Sequence, residues 1–437
     1  MKVFLDQLGC RLNEAEVSLW RRQLRALGHA TVSRVEDADV AVLNSCAVTA
    51  EAARTSRRRT RALHRMNPRA NIVLTGCFAT LEPGQAAALA GVDLVVPNSH
   101  KDRLVDRIID HLDTVAAPWA AAEPGAPIHP DAPRTRAFVK IQDGCRNRCS
   151  FCIVTKARGE ERSRGIKEIV DEISGLHDQG YSEVVLTGVH IGGYGHDRGG
   201  SLATLLDAIL AQTHIPRIRL GSLEPWDLPD DLFDRWTDRR LLPHLHLPLQ
   251  SGSDPVLRRM ARRCPTARYR RVVGLARAAI PGLHLTTDLI VGFPGSTNED
   301  HARSLEFLAQ MGFGDAHVFT YSPRPGTAAA RLPGQLSPQT KRARTRQMQA
   351  AVALARTRAL RSRVGETRPV LFEGTPKQAH DGYRFEGYTD TFQRVAIHLA
   401  DRRSLRGHVL PIRIDSVEDD RTLRGTPARV LPRMSQP

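Results

Sequence analysis

Short apolar runs recur through the first hundred residues, with helix-like segments between them: VFL at 3–5, DVAVL at 39–43, NIVL at 71–74 and DLVV at 93–96. This alternation predicts a parallel sheet with crossover helices. Three of the runs lead straight to a cysteine. VFLDQLGC ends at Cys10, DVAVLNSC at Cys46 and NIVLTGC at Cys77. In open α/β sheets the carboxyl ends of the strands share one edge, where ligands bind. Cysteines more than thirty residues apart in sequence can therefore converge there; the alternative is three buried core thiols.

After a run rich in Ala and Pro at 116–133, six more strand candidates follow: AFVKI, EVVLTGV, RIRLGSL, HLHLPL, TTDLIVGF and AHVFTYS. Helical segments separate most of them, which predicts a partial (β/α)6 barrel with function at the strand carboxyl ends. Polar residues gather there: Asp143 and Cys145, Thr187 and His190, Ser222 and Glu224, Gln250 and Ser251, Asp288, Tyr321 and Ser322. Beyond residue 364 an Arg-rich helical pattern gives way to PVLFEG, YRFEGYTD, QRVAIHL and HVLPIRI, short β-like runs that suit a small barrel. The expected organisation is α/β throughout its first two parts: an N-terminal parallel domain at 1–115, a linker at 116–133, a partial barrel at 134–365 and a small β-barrel at 366–432.

Seven cysteines, an odd count, argue against a disulfide framework and for ligands or reactive thiols. Cys264 stands apart from the others and reads as an inert thiol. A net charge of +16 favours a polyanionic partner, nucleic acid first and an acidic membrane surface second. No apolar stretch approaches the ~20 residues of a membrane span, so a cytoplasmic protein without membrane contact is expected.

The stretch KIQDGCRNRCSFCIV packs Cys145, Cys149 and Cys152 into eight positions. A closed zinc site takes four protein ligands, and a 4Fe–4S cluster usually takes four thiolates. Three leave one iron free to hold something else. The spacing is too short for paired CxxC knuckles and differs from the ferredoxin spacings.

CxxxCxxC at the end of the first strand of a partial barrel resembles the radical S-adenosylmethionine (SAM) enzymes. GCRLNEAE, NSCAVTAEA and LTGCFA, then IQDGCRNRCSFCIV, ARGEERSR, LTGVHIGGYG, RIRLGSLEP, HLHLPLQSGSDPVLRRM and TTDLIVGFPGST, resemble in order the methylthiotransferase family among them. The resemblance implies two 4Fe–4S clusters. One, on Cys145, Cys149 and Cys152, binds SAM and generates a carbon radical; an auxiliary one, on Cys10, Cys46 and Cys77, carries sulfur. It further implies SAM or substrate contacts from Phe151, Gly188, Glu224, Gln250, Ser251, Asp288 and Gly292, and a C-terminal RNA-binding barrel of the TRAM type. The implied partners are the anticodon arm of a tRNA and an electron donor such as flavodoxin or ferredoxin, with the sulfur donor left open.

Of the family's branches, the loops IQDGC, ERSR, LTGV and LPLQSGSDPVLRRM look most like the one acting on threonylcarbamoyladenosine in tRNA. The alternatives are the branches acting on isopentenyladenosine in tRNA and on a ribosomal-protein aspartate. From another class comes a non-catalytic RNA-binding protein stabilised by zinc. The chain departs from the family at Thr155 and Lys156, where Pro-Tyr is usual, at Ser296 in place of Glu, and at Ala15 in place of an aromatic. For RNA, the cations of residues 54–69 are expected on one helix. In the barrel, Tyr383, Phe385, Tyr388 and Phe392 alternate with Arg384 and Arg394, and some of them are expected to stack bases.

Overall fold

The computed structural model describes residues 1–115, 135–380 and 382–429. The expected linker at 116–133 lies outside the described residues, as do 430–432 of the expected C-terminal part.

The first unit runs β1 (Lys2–Gln7), α1 (Arg11–Ala26), β2 (Ala30–Val32), β3 (Val40–Ser45), α2 (Ala50–Met66), β4 (Asn71–Gly76), α3 (Cys77–Leu81), α4 (Pro83–Ala87), β5 (Val92–Val96) and α5 (Leu104–Val115). Its sheet has the order β2-β1-β3-β4-β5, and every pairing is parallel. Both faces are covered, so all six residues of β3 are buried, as expected for a central parallel strand. On one face Val40 and Val42 pack with Trp20, Leu24, Leu104 and Ile108; on the other Leu43 and Leu74 pack with Leu63 and Phe78. The edge strand β2 escapes the apolar pattern because its three residues ATV are only partly covered. The order matters for function. β1, β3 and β4, the three strands that lead to Cys10, Cys46 and Cys77, are direct neighbours about 4.8 Å apart.

The second unit contains β6 (Arg136–Lys140), β7 (Gln142–Asp143), α6 (Val154–Arg158), β8 (Arg162–Ser163), α7 (Ile166–Asp178), β9 (Glu183–Thr187), α8 (Leu202–Gln212), β10 (Ile218–Leu220) and β11 (His244–His246). It continues with α9 (Asp254–Arg259), α10 (Thr266–Ala279), β12 (His284–Val291), α11 (Asn298–Met311), β13 (Asp315–Thr320) and α12 (Pro338–Arg361). All six expected strands form, as two three-stranded parallel sheets, β10-β9-β6 and β11-β12-β13. Isolated bridges at Ile218 with Leu241 and Ser222 with His246 join them, giving the partial barrel around one continuous core that also holds Cys264.

Five strands close the third unit: β14 (Thr367–Ala379), β15 (Gly382–Thr389), β16 (Arg394–Leu399), β17 (Val409–Val417) and β18 (Thr422–Pro427), in the order β14-β15-β16-β18-β17. β18, TLRGTP, carries Gly425 and Pro427 and so hides from a strand pattern.

The aromatic expectation for this barrel needs correction. Phe385 lies in its core, with Tyr383 packed against that core. Tyr388 and Phe392 face inward toward the partial barrel. The turn at 390–392 sits under the amino ends of the strands, where Arg217 and Arg219 donate to the carbonyls of Thr389 and Asp390 at 3.3 and 3.0 Å. The Phe392 ring has Arg219 at 4.7 Å, Arg11 at 5.1 Å and Arg136 at 5.2 Å, with Tyr388 stacked on it at 5.0 Å and His244 at 5.1 Å. Phe392 holds a φ of 65°, a conformation costing about 1–2 kcal/mol for a residue with a side chain. Its cationic and aromatic surroundings offset that strain. Among the described residues, no helix is long and apolar enough to cross a membrane.

Candidate active site

The first cysteine triplet lies along the carboxyl edge of the five-stranded sheet. Cys10 is the N-cap of α1 and Cys77 opens α3, while Cys46 follows β3 directly. Gly9 has φ 93°, and a Cβ there would stand 2.7 Å from Cys46 Sγ, so only glycine lets the β1 loop close over that thiol. Ser56 pins Cys46 from behind, accepting from its N–H at 3.0 Å and donating to its carbonyl at 2.7 Å. Burial pushes the Cys46 thiol up, with Cys77 and Cys10 close enough to raise it further. Cys10 Sγ donates to Asn13 Oδ1 at 3.7 Å, and Asn98 Nδ2 donates to Cys77 Sγ at 3.8 Å.

The second triplet occupies the loop between β7 and α6. Gly144, at φ 72°, opens it; a Cβ there would lie 1.8 Å from the Glu160 carbonyl oxygen. The Cys145 N–H donates to the Gly159 carbonyl at 3.0 Å, which ties the two ends of the loop together. Backbone N–H groups of Asn147 and Val154 reach the sulfurs of Cys145 and Cys152 at 3.4 Å each, and Arg262 reaches Cys149 Sγ at 3.8 Å. Burial raises the Cys145 thiol to about 11 and the Cys152 thiol to about 12, and pushes Cys149 up as well. Such thiols are poor free nucleophiles. Donors from N–H groups and a guanidinium favour the thiolates once a metal takes the protons. Three soft donors on one loop, with sulfur-directed hydrogen bonds, fit a 4Fe–4S cluster with an open iron.

Beside Cys145, His190 is clasped between Glu161 Oε1 at 2.6 Å and Asp227 Oδ2 at 2.9 Å. Burial opposes its charge, but the bonds to Asp227 and Glu161 outweigh that and raise it to about 9. Ligand atoms of Cys145, Glu161 and His190 lie within 4.8 Å of one another. Both imidazole nitrogens are committed to carboxylates, however, so the trio braces the loop.

The other expected contact residues fall into separate places. Phe151 lies within the cysteine loop, between Cys149 and Cys152, and Glu224 stands beside it. Phe151 packs edge-on to Phe293, and Glu224 accepts from Arg262 at 2.8 Å, with that guanidinium 4.2 Å from the Trp226 ring. Gln250, Ser251 and Gly292 line one pocket together with Phe293, Ser296 and Arg344, on the side of α11 and α12. Gln250 sits at φ 72°, and the Ser251 hydroxyl is 3.2 Å from that of Ser304. Asp288 is on the inner wall, 3.3 Å from His246. Gly188 serves close packing: a Cβ would lie 2.7 Å from Ile191 and 2.9 Å from the Gln142 carbonyl.

Between the two triplets lies a set of buried charges that strand patterns did not reveal. Arg158, the last residue of α6, donates to Asn13 Oδ1 at 2.7 Å, Asp143 Oδ1 at 2.9 Å and Glu16 Oε1 at 3.0 Å. Glu16 also pairs with Lys101 at 2.6 Å and Lys140 at 3.4 Å, and Lys140 with Asp143 at 2.8 Å. The preceding Ala157 packs into the core of the first unit, and its carbonyl accepts from Asn98 at 2.7 Å. The sequence signal was present in GCRLNEAE and ARGEERSR, motifs whose cysteine-free positions had no role until these contacts gave them one.

Comparison with known proteins matches residues 139–308 to the Radical SAM superfamily and residues 2–97 to a model described as Uncharacterized protein family UPF0004. The threonylcarbamoyladenosine tRNA methylthiotransferase of Thermotoga maritima is 36% identical over 85% of this chain and 86% of its own length. The chain belongs to the radical SAM methylthiotransferase family. The protein of the same name from Chlamydia pneumoniae is 35% identical over 94% of this chain and 95% of its own. A tRNA-2-methylthio-N(6)-dimethylallyladenosine synthase from Moorella thermoacetica is 34% identical over 93% and 94%. Among solved structures, a radical SAM methyltransferase from Kitasatospora setae with cobalamin and a [4Fe-4S] cluster aligns with a TM-score of 0.55 at 13% identity, over 75% of this chain and 77% of that one, which shows a shared fold. As a radical SAM methylthiotransferase, the enzyme uses SAM and two 4Fe–4S clusters, and the geometry offers two triplets to hold them.

Proposed function

We propose that this enzyme adds a methylthio group to C2 of N6-threonylcarbamoyladenosine next to the anticodon of tRNA. The observation that carries the reading is the pair of cysteine triplets on adjoining sheet edges, in a chain whose similarity to relatives named for this activity runs nearly end to end. Adenine C2 has no leaving group and no acidic proton, so polar chemistry has no easy route from C–H to C–S. When bound, SAM at one cluster supplies a carbon radical able to take that hydrogen, and the other cluster supplies the sulfur.

Cys145, Cys149 and Cys152 hold the SAM cluster in this reading, and Cys10, Cys46 and Cys77 the auxiliary one. Arg262 and Glu224 orient Cys149 and present a carboxylate beside the loop. Phe151 with Phe293 and Tyr321 forms an apolar wall that keeps water from the reacting centre. Asp288, Gln250, Ser251 and Gly292 position SAM or the nucleotide, and Gly188 allows the close packing that supports the loop. The reductant is a one-electron carrier such as flavodoxin or ferredoxin, and the setting is the cytoplasm.

Relatives named for dimethylallyladenosine are nearly as similar, so the test is chemical. Nucleosides from the tRNA of a deletion strain should lack methylthio-threonylcarbamoyladenosine and retain its unmodified precursor. A normal level of that product would sink the proposal; loss of the dimethylallyl counterpart instead would move the enzyme to the other tRNA branch.

A further inference from the structure

The five ionised side chains between the triplets are almost wholly sealed: Glu16 is 3% exposed, Lys101 1%, Lys140 8%, Asp143 4% and Arg158 2%. Glu16 and Lys101 come from the first unit, and Lys140, Asp143 and Arg158 from the second. Three cations face two carboxylates, which leaves one buried positive charge in excess. Lys140 also reaches Asp102 at 3.2 Å, but that carboxylate stands largely in water, where screening weakens the pair. Burying an uncompensated charge is costly enough that a protein normally neutralises or pairs it. The partner within reach is the first cysteine triplet. Arg158 and Cys10 Sγ share Asn13 Oδ1 as acceptor, at 2.7 and 3.7 Å. Asn98 bridges the Ala157 carbonyl to Cys77 Sγ. Arg158 is also close enough to act electrostatically on Cys10, Cys46 and Cys77. An oxidised four-iron cluster on three thiolates carries about one net negative charge, and net charge is one of the levers that set a cluster's potential. The excess cation and the cluster would cancel.

The same arginine is tied to the other triplet through the chain. Asp143 lies two residues before Cys145, and Arg158 six residues after Cys152. Both ends of the radical loop therefore clamp onto one buried charge set that is rooted in α1 of the neighbouring unit.

We propose that Arg158 is a positioning residue that acts as counter-ion to the cluster at Cys10, Cys46 and Cys77 and fixes that cluster in register with the radical loop. The proposal rests on the two-cluster reading above. Its test uses the full-length, anaerobically reconstituted protein in a background with Cys145, Cys149 and Cys152 changed to Ala, so that only the N-terminal cluster loads. A redox titration followed by electron paramagnetic resonance reads its midpoint. Arg158→Met removes the cation with little change of volume, and the midpoint should fall by about 59 mV or more, a tenfold change in the one-electron equilibrium. Arg158→Lys keeps the charge and should move it less. Glu16→Gln removes a buried negative charge and should move the midpoint the opposite way, which keeps the idea testable if the methionine variant fails to fold.

In the otherwise intact enzyme, Arg158→Lys should still cleave SAM to 5′-deoxyadenosine while methylthio product falls at least tenfold, because the lysine cannot span Asn13, Glu16 and Asp143 together. Full iron loading with unmoved midpoints in both the methionine and glutamine variants would overturn the counter-ion. Product formation by Arg158→Lys in step with SAM cleavage would overturn the register. If the background variant bound no iron, where about four per chain is expected, the two-cluster reading would fall, and this proposal with it.

Discussion

Glu183→Gln should loosen the C-terminal barrel from the partial barrel. Glu183 opens β9 with its side chain 1% exposed, held by Arg217 Nε and Arg219 Nε at 2.8 Å each. Those two guanidiniums in turn hold the Thr389 and Asp390 carbonyls, so the carboxylate anchors the docking arginines. Burial alone would raise the Glu183 carboxyl, but Arg219 and Arg217 bring it down to about 2. Against an unfolded value near 4.3, that depression corresponds to about 3 kcal/mol. Breaking a buried ion pair by removing one partner costs about 3–5 kcal/mol. Burial also lowers Arg219, so part of the attraction offsets desolvation and the lower end of the range applies. About 3 kcal/mol is a fall of roughly 6–12 °C in melting temperature for a unit of this size.

A carboxyl depressed in the folded state stabilises above its unfolded value and loses that contribution as pH falls toward its folded value. The gap between wild type and Glu183→Gln should therefore be flat from pH 8 to 5 and narrow below about 4.5. Calorimetry across that range, with hydrogen exchange at the amides of Thr391 and Phe392, reads both effects. A gap under about 1 kcal/mol at neutral pH, or one that widens as pH falls, would refute the role given to this carboxylate.

Three other outcomes are expected. Cys149→Ala should abolish reductive SAM cleavage, whereas Cys46→Ala should abolish methylthiolation and still release some 5′-deoxyadenosine; full product from the Cys46 variant would show that the first triplet is not the sulfur-carrying site. Gly144→Ala would drive a methyl group into the Glu160 carbonyl, so iron content should drop from about eight to about four per chain with the N-terminal cluster intact. Removing the chain from residue 366 onward should weaken tRNA binding, and it also uncovers Arg217, Arg219 and the floor that Phe392 supplies. The truncated enzyme should melt earlier than a freely separable domain would allow, and unchanged melting would mean that the docked turn contributes nothing.

The cysteines were legible because their signal is local. A strand run, a turn and a cysteine recur three times, and parallel strands must line up their ends. What stayed hidden depended on partners far away in sequence. Nothing local marks Lys101 and Glu16 as buried, and only the packing of α1 against β6 and of the turn at 98–103 against α6 seals them. Phe392 and Tyr388 had the alternation of an RNA-stacking surface, but alternation says which residues share a face, not what that face meets. β2 and β18 were too short or too broken by Gly and Pro to register. Gln250 and Ser251 lie past β11 and Gly292 just past β12, lining a pocket beside α11, whereas Asp288, expected at a strand end, sits in the middle of β12 facing the inner wall, a difference that the run TTDLIVGF does not show.

The net charge of +16 conceals two uses of arginine. Arg54, Arg58, Arg61 and Arg65 lie on the exposed face of α2, at helical spacing, while Arg57 and Arg59 turn to Glu82 and Asp6. α2 begins just after the Cys46 loop, and its exposed guanidiniums have the chemistry to pair with RNA phosphates. Its charges stand in water, where fields fade over about 8 Å at physiological ionic strength, and each phosphate engaged should add about 0.9 to the salt slope of binding. Arg158, Arg217, Arg219 and Arg262 are 5% exposed or less, beyond the reach of counter-ions. Raising salt should therefore release tRNA first, while both clusters keep their spectra and SAM is still cleaved without product. Changing Arg58, Arg61 and Arg65 to Ser should flatten the binding slope by about 0.9 for each phosphate no longer neutralised and leave the spectra alone. If salt removed RNA and perturbed the N-terminal cluster over the same range, the buried charge set would be open to solvent, and its arginines could not be structural counter-ions.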